Sequence, residues 1–147
     1  MAGHIDRWDG SDVVLITYAD TIGEEGVPGL QALKSFVNRH LQPFAAVIHV
    51  LPFLQSTSDG GFAVASHTKL EQRFGDWSDL AALAAGRRLM ADLVLNHVSA
   101  SHPWVQQFMR DEQPGRSCVL EAAPDPCWAD VVPVSYTHLT LPTSTLV

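Results

Sequence analysis

At 147 residues the chain has room for one domain of ordinary size, or for part of a larger one, and not for two independent domains of typical length. Its 46% hydrophobic and 17% charged residues exclude a disordered tail, and no collagen-like or low-complexity period runs through it. A formal net charge of -7, from 9 basic against 16 acidic residues, argues against nucleic acid and anionic membrane surfaces as partners, because Lys and Arg carry both kinds of binding.

The longest apolar stretch, Phe44 to Val50 with only His49 inside it, falls far short of the roughly 20 residues that span a bilayer. Met1 to Asp6 shows no basic segment followed by an apolar run, so no secretory signal is expected and the expected location is cytoplasmic. In that reducing compartment Cys118 and Cys127 are expected to be buried or incidental thiols.

In chain order, Asp12 to Asp20 is a β-branched apolar run bounded by polar residues and predicts a buried strand. Gly23, Gly26, Pro28 and Gly29 punctuate a loop. Leu30, Leu33, Phe36, Val37 and Leu41 then recur at helical spacing opposite Lys34, Asn38 and Arg39, which predicts an amphipathic helix ending near Pro43. Ala45 to Leu51, apolar on both faces and stopped by Pro52, predicts a parallel strand covered on both sides.

A polar loop from Gln55 to Gly61 follows. Trp77 to Gly86 carries Leu80, Leu83 and several alanines at helical spacing, capped by Asp76 or Ser78, and Arg88 to Leu95 reads as a third strand. The alternation implies two right-handed βαβ crossovers and a parallel α/β sheet, either doubly wound or part of a (β/α)8 barrel. Neither G-x-G-x-x-G nor a P-loop occurs, and Gly23-x-x-Gly26-x-x-Gly29 has the wrong spacing for a dinucleotide. Polar groups stand directly after the C-terminal ends of the second and third strands: Asp59 after one, Asn96 and His97 after the other. A barrel enzyme places its site there.

From Val131 to Val147 there is no Asp, Glu, Lys or Arg, while Ser and Thr supply six of the seventeen residues. Val134 to Thr143 also resembles a translated sequencing adapter. Residues 131–147 are therefore expected to be a non-native tail, with residues 1–130 forming the folded part.

Asp59-Gly60-Gly61-Phe62, Ser66-His67-Thr68-Lys69-Leu70, Arg73-Phe74-Gly75-Asp76-Trp77 and Asp92-x-x-x-Asn96-His97 follow one another in order. Together they resemble the start of the barrel in glycoside hydrolase family 13, nearest in appearance to the sucrose phosphorylases and related glucoside phosphorylases. Ile16 to Asp20 and His49 to Phe53 resemble strand ends of the same group. The fold implied is the N-terminal portion of a (β/α)8 TIM barrel, about three strands of it and incomplete.

The function implied is that of a retaining glucoside phosphorylase, which transfers a glucosyl unit from an α-glucoside such as sucrose or glucosylglycerate to inorganic phosphate. Alternatives are a hydrolase or transglucosylase of the family, like an α-amylase or an amylosucrase, or an inactive truncated product. The resemblance implies that Asp59 and His97 hydrogen-bond hydroxyls of the glucosyl unit and that Phe62 is an apolar platform for the ring. A carboxylate accepts two hydroxyls, an imidazole donates to one, and an aromatic face covers the C–H side of a pyranose.

Asp92 and Asn96 are expected to be architectural. His49 and His67 stand at matching family positions. The resemblance is to the calcium-free branch, so neither metal nor cofactor is assigned, and His97-x4-His102 with Cys118-x8-Cys127 lacks the cysteine spacing of a zinc site. Ala63-Val64-Ala65-Ser66 departs from the acidic, proline-containing stretch of sucrose phosphorylases, which opens the donor to glucosylglycerate or a similar osmolyte glucoside. Nucleophile and acid/base belong to later barrel strands, since a barrel needs about 250 residues. Asp76 and Asp79 are not candidates for those roles; they belong to a helix start, where carboxylates favour the dipole.

Overall fold

The computed structural model describes residues 12–42 and 44–121. Three strands, β1 (Val13–Thr17), β2 (Ala45–Val50) and β3 (Arg88–Ala91), form a sheet in the order β1-β2-β3 with both pairings parallel. Their register matches Ile16 with His49 and His49 with Met90. The predicted strands and their alternation with helices are therefore present, at reduced length.

The first crossover carries α1 (Gly29–Phe36), continued by a π-helical turn, Val37–Leu41. Leu30, Leu33 and Val37 fall on one stripe and are fully buried, each contributing about 2 kcal/mol of transfer free energy. Gly29 is required where α1 begins, because a Cβ there would come within 2.6 Å of the Ala19 carbonyl oxygen. The predicted helix thus spans the expected residues but changes winding at Val37.

The second crossover carries α2 (Trp77–Ala84), which buries Leu80 and Leu83. Asp76 caps it by accepting hydrogen bonds from the backbone N–H groups of Ser78 and Asp79, at 2.8 and 3.0 Å, and Asp79 returns the contact to the Asp76 N–H at 3.1 Å. The Ser78 hydroxyl and then those backbone donors hold the Asp76 carboxyl below the usual range. The reading of both acids as helix-start groups is borne out. Gln31 of α1 donates to Asp79 at 2.9 Å, and Arg87 reaches both the Leu83 carbonyl and the Asn38 side chain.

Burial corrects the reading of Asp12 to Asp20 as a buried strand. β2 is buried along most of its length, whereas Val13, Ile16, Leu89 and Met90 are exposed. β2 has a neighbour on each side; β1 and β3 are the edges of this sheet. β3 also stops at Ala91 instead of Leu95, because Asp92 to Leu95 leave the ladder, and Leu93 and Leu95 are exposed.

The chain falls into two compact units rather than one βαβαβ body. The sheet, α1 and α2 belong to the first, whose described residues run to Phe53 and from Gln72 to Asp92. The described residues of the second are Leu54–Glu71 and 93–121, among which lie two short helices, α3 (Pro103–Met109) and α4 (Gly115–Cys118). No helix was predicted after Val98. Pro103 at the first turn of α3, preceded by His102, was the legible signal for the first of them. The expected tail, residues 131–147, lies outside the described residues. Among the described residues no helix is long and apolar enough to cross a membrane.

Candidate functional site

Beyond β2 the chain makes a narrow loop from Leu54 to Glu71, held by two antiparallel bridges, Leu54 to Leu70 and Ser56 to Val64. The Gln55 N–H donates to the Lys69 carbonyl at 2.8 Å, and the Thr57 N–H donates to Ala63 at 3.0 Å. At its tip Asp59 and Gly60 both take φ 59° and Gly61 takes φ 101°. Asp is among the few non-glycine residues that enter this left-handed region readily, and the two glycines let the chain turn back at once. The turn closes by a 3.0 Å bond from the Phe62 N–H to the Asp59 carbonyl, which leaves Asp59 exposed and Phe62 half-buried.

His97 lies on the segment that leaves β3, and this segment is fastened to the same loop. The Ser99 N–H donates to the Val64 carbonyl at 2.8 Å, and the hydroxyls of Ser99 and Thr57 meet at 2.8 Å. Ser99 is buried and also contacts the Ser101 hydroxyl at 2.9 Å. Thr57 and Val64 flank the turn that carries Asp59 and Phe62. The three predicted residues therefore stand on two segments joined beside them, with Asp59 and Phe62 sharing one turn and His97 half-buried two residues before the joint.

A second fastening lies on the other side of His97. His67 contacts the Val94 carbonyl through Nε2 at 2.9 Å and His102 through Nδ1 at 3.2 Å. Its ring stacks on Trp104, with centroids 5.4 Å apart and planes at 23°. His102 is buried and caps α3 by accepting the Trp104 N–H at Nδ1, 3.1 Å away. Burial first, and the His67 imidazole second, hold the His102 pKa below the ordinary histidine value.

Asp92, expected to be architectural, pairs with His49 at 3.0 Å across the β2–β3 junction. Asn96 is exposed. Cys118 is exposed and free, which corrects the buried reading for that residue; Cys127 lies outside the described residues. Among the described residues no group of three or more His, Cys, Asp or Glu side chains is placed to hold a metal ion. Thr57, Ser99 and His102 were missed as supports of the site, and no motif could have supplied them. They meet their partners across 42 residues in the Thr57–Ser99 contact and 35 in the His67–His102 contact.

Chemically the arrangement presents a carboxylate at a rigid turn, an aromatic ring three residues on, and an imidazole on a segment tied to that turn. Such a set offers hydrogen-bond acceptors, a hydrogen-bonding imidazole and an aromatic face, and none of these groups is a pair of carboxylates able to transfer a glycosyl unit.

The sequence pattern of the alpha amylase catalytic domain matches residues 44–130. The glucosylglycerate phosphorylase of Allomeiothermus silvanus is 47% identical over 105 residues, 71% of this chain and 19% of that protein. The sucrose phosphorylase of Agrobacterium vitis is 41% identical over 101 residues, 67% of this chain and 20% of that protein. The crystal structure of sucrose 6F-phosphate phosphorylase from Thermoanaerobacter thermosaccharolyticum superposes with a TM-score of 0.64 at 28% identity, covering 79% of this chain and 23% of that one. The three parallel strands and their helices are thus part of a (β/α)8 barrel, as expected from the sequence. The chain spans about a fifth of the length of the curated relatives it matches.

Proposed function

Because the chain belongs to the family of alpha amylase catalytic domains, we propose that it is part of a retaining glucoside phosphorylase, an enzyme that moves a glucosyl unit from an α-glucoside to inorganic phosphate. In this reading residues 1–130 supply the first strands of the barrel and part of the innermost sugar subsite. Asp59 accepts two hydroxyls of the glucosyl ring, His97 donates to another, and the face of Phe62 covers the apolar side of the sugar. The nucleophile and the acid/base carboxyl belong to barrel strands beyond this chain, and no carboxylate described above substitutes for them. Asp76 and Asp79 are committed to capping α2, and Asp92 to His49.

The observation that carries the reading is the joint at Ser99. It ties the loops that follow two adjacent parallel strands at their C-terminal ends, the place where barrel enzymes assemble their sites, and it does so next to all three sugar-binding candidates. The similarity to phosphorylases supports phosphate as the acceptor. A glucosylglycerate-type donor is favoured over sucrose on two grounds. The loop after Phe62 reads Ala63-Val64-Ala65-Ser66, with Ala63 and Val64 fully buried where sucrose phosphorylases resemble one another in an acidic stretch, and identity is higher to the glucosylglycerate enzyme.

The test is to incubate the intact enzyme with α-glucosylglycerate or sucrose, with and without inorganic phosphate. Phosphate-dependent release of α-glucose 1-phosphate is expected, faster from glucosylglycerate. Equal release of free glucose in both arms marks a hydrolase instead. The 147-residue chain alone is expected to transfer no glucosyl group from either donor.

A further inference from the structure

The two imidazoles beside the site admit only one arrangement of protons. Because the Trp104 N–H donates to Nδ1 of His102, that nitrogen carries no proton. Neutral His102 then bears its proton on Nε2 and donates across 3.2 Å to Nδ1 of His67. His67 in turn bears its proton on Nε2 and donates to the Val94 carbonyl at 2.9 Å. One tautomer of each ring satisfies all three contacts. A proton added to His102 faces the Trp104 N–H, and a proton added to His67 faces the Nε2–H of His102.

We propose that His67 and His102 form a neutral relay of fixed tautomers that positions the segment carrying His97, and that the relay comes apart when either ring is protonated. This rests on the reading of His97 as a sugar-binding group. The relay fixes Val94 on one side of His97, as the Ser99–Val64 bond fixes the other, so His97 sits on a short span held at both ends. His67 and His102 are positioning residues and touch no sugar.

The titratable surroundings favour a neutral His102. From Gly60 to Thr68 the sole titratable side chain is His67; Lys69 and Glu71 follow it. From Leu93 to Ser101 it is His97, and α3 has none. α4 brings Cys118 and Arg116, and the latter is paired with Asp111 and Glu121. Among the described residues no ion pair joins a carboxylate to either imidazole, and burial together with His67 lowers the His102 pKa.

Three measurements on the intact enzyme test the relay. Long-range proton–nitrogen correlation on enzyme labelled at histidine is expected to report the Nε2–H tautomer for both rings at pH 7.5; an Nδ1–H tautomer on either overturns the proposal. Amide exchange is expected to accelerate at least about 10-fold across Leu95 to Ser99 in His67→Phe, which keeps a ring on Trp104, and in His102→Asn, which keeps an α3 cap. Unchanged exchange overturns it. Both variants are expected to lose at least about 10-fold in kcat/KM for the glucoside, since small misplacements of a binding group cost that much. Wild-type kcat/KM with altered exchange removes the positioning role. A wild-type enzyme that transfers no glucosyl group defeats the function reading alone, and the tautomers and exchange still decide the relay.

Discussion

The sheet unit and the loop unit are built on different physics. From Val13 to Ala91 the sheet is joined by backbone ladders, and Leu30, Leu33, Val37, Ile48, Val50 and Leu83 are buried almost completely. Among the described residues 54–71 and 93–121 there are two isolated bridges, a few long-range backbone bonds, and side-chain contacts made by Thr57, His67, Ser99 and His102. The first unit depends on volume, which many residues supply. The second buries Ala63, Val64 and Val105 but leans more on donors and acceptors at single atoms, which few substitutions preserve, and it carries every residue proposed to meet the sugar.

That contrast is broken or sharpened by four experiments on the intact enzyme. The largest effect is expected in the sheet unit: Leu83→Ala, at a fully buried position, lowers unfolding free energy by about 3 kcal/mol in denaturant melts. A loss under about 1 kcal/mol would mean that the sheet unit is not packed as described.

Next comes the loop tip. Asp59→Ala and His97→Ala each lower kcat/KM by at least about 10²-fold, on the order of 3 kcal/mol of transition-state stabilisation, with the melting temperature nearly unchanged. Near-normal activity in both removes them from the sugar subsite.

Ser99→Ala is expected to show a smaller, local effect. It deletes the hydroxyl that meets Thr57 and Ser101, costs about 1–2 kcal/mol, and speeds amide exchange from Leu95 to Ala100 while β2 keeps its protection. Equal acceleration in β2 would show the two units to unfold together.

The smallest effect concerns acid. The folded pKa values of Asp76 and His102 are both lowered, so each contributes stability that is present above its unfolded value and lost as pH falls through its folded value. His102 therefore acts first, below the ordinary histidine range, and Asp76 only in the carboxylate range. His102→Asn is expected to flatten the stability profile between about pH 7 and 5, and Asp76→Ala to flatten it below about pH 4. A wild-type profile that is already flat across both windows contradicts these assignments.

Most of the fold was legible because the interactions that make it are periodic. Burial at Leu30, Leu33 and Val37 follows a 3.6-residue period, and the Asp76 cap is a signal four residues long. The strand ends were less legible. Leu93 to Leu95 have the composition of a strand, yet Asp92 turns from the ladder to His49, and composition records no such exit. Exposure of Ile16 and Met90 follows from the place of β1 and β3 at the edges of the sheet, not from their composition, since an apolar strand reads the same at the centre of a sheet and at its edge.

For the site, Asp59, Phe62 and His97 could be named from a pattern of short motifs, because a turn such as Asp59-Gly60-Gly61 and a strand end such as Asn96-His97 are local events. The sequence by itself determined the alternation of strands and helices, the buried stripes and the α2 cap, and it supplied those three residues as candidates. Only the tertiary structure decided that Ser99 meets Thr57 and Val64 and that His102 meets His67. The reason is physical: apolar burial follows from a residue's own character and its period along the chain. A hydrogen bond between side chains 35 or 42 residues apart exists only when folding brings one donor to one acceptor within about 3 Å.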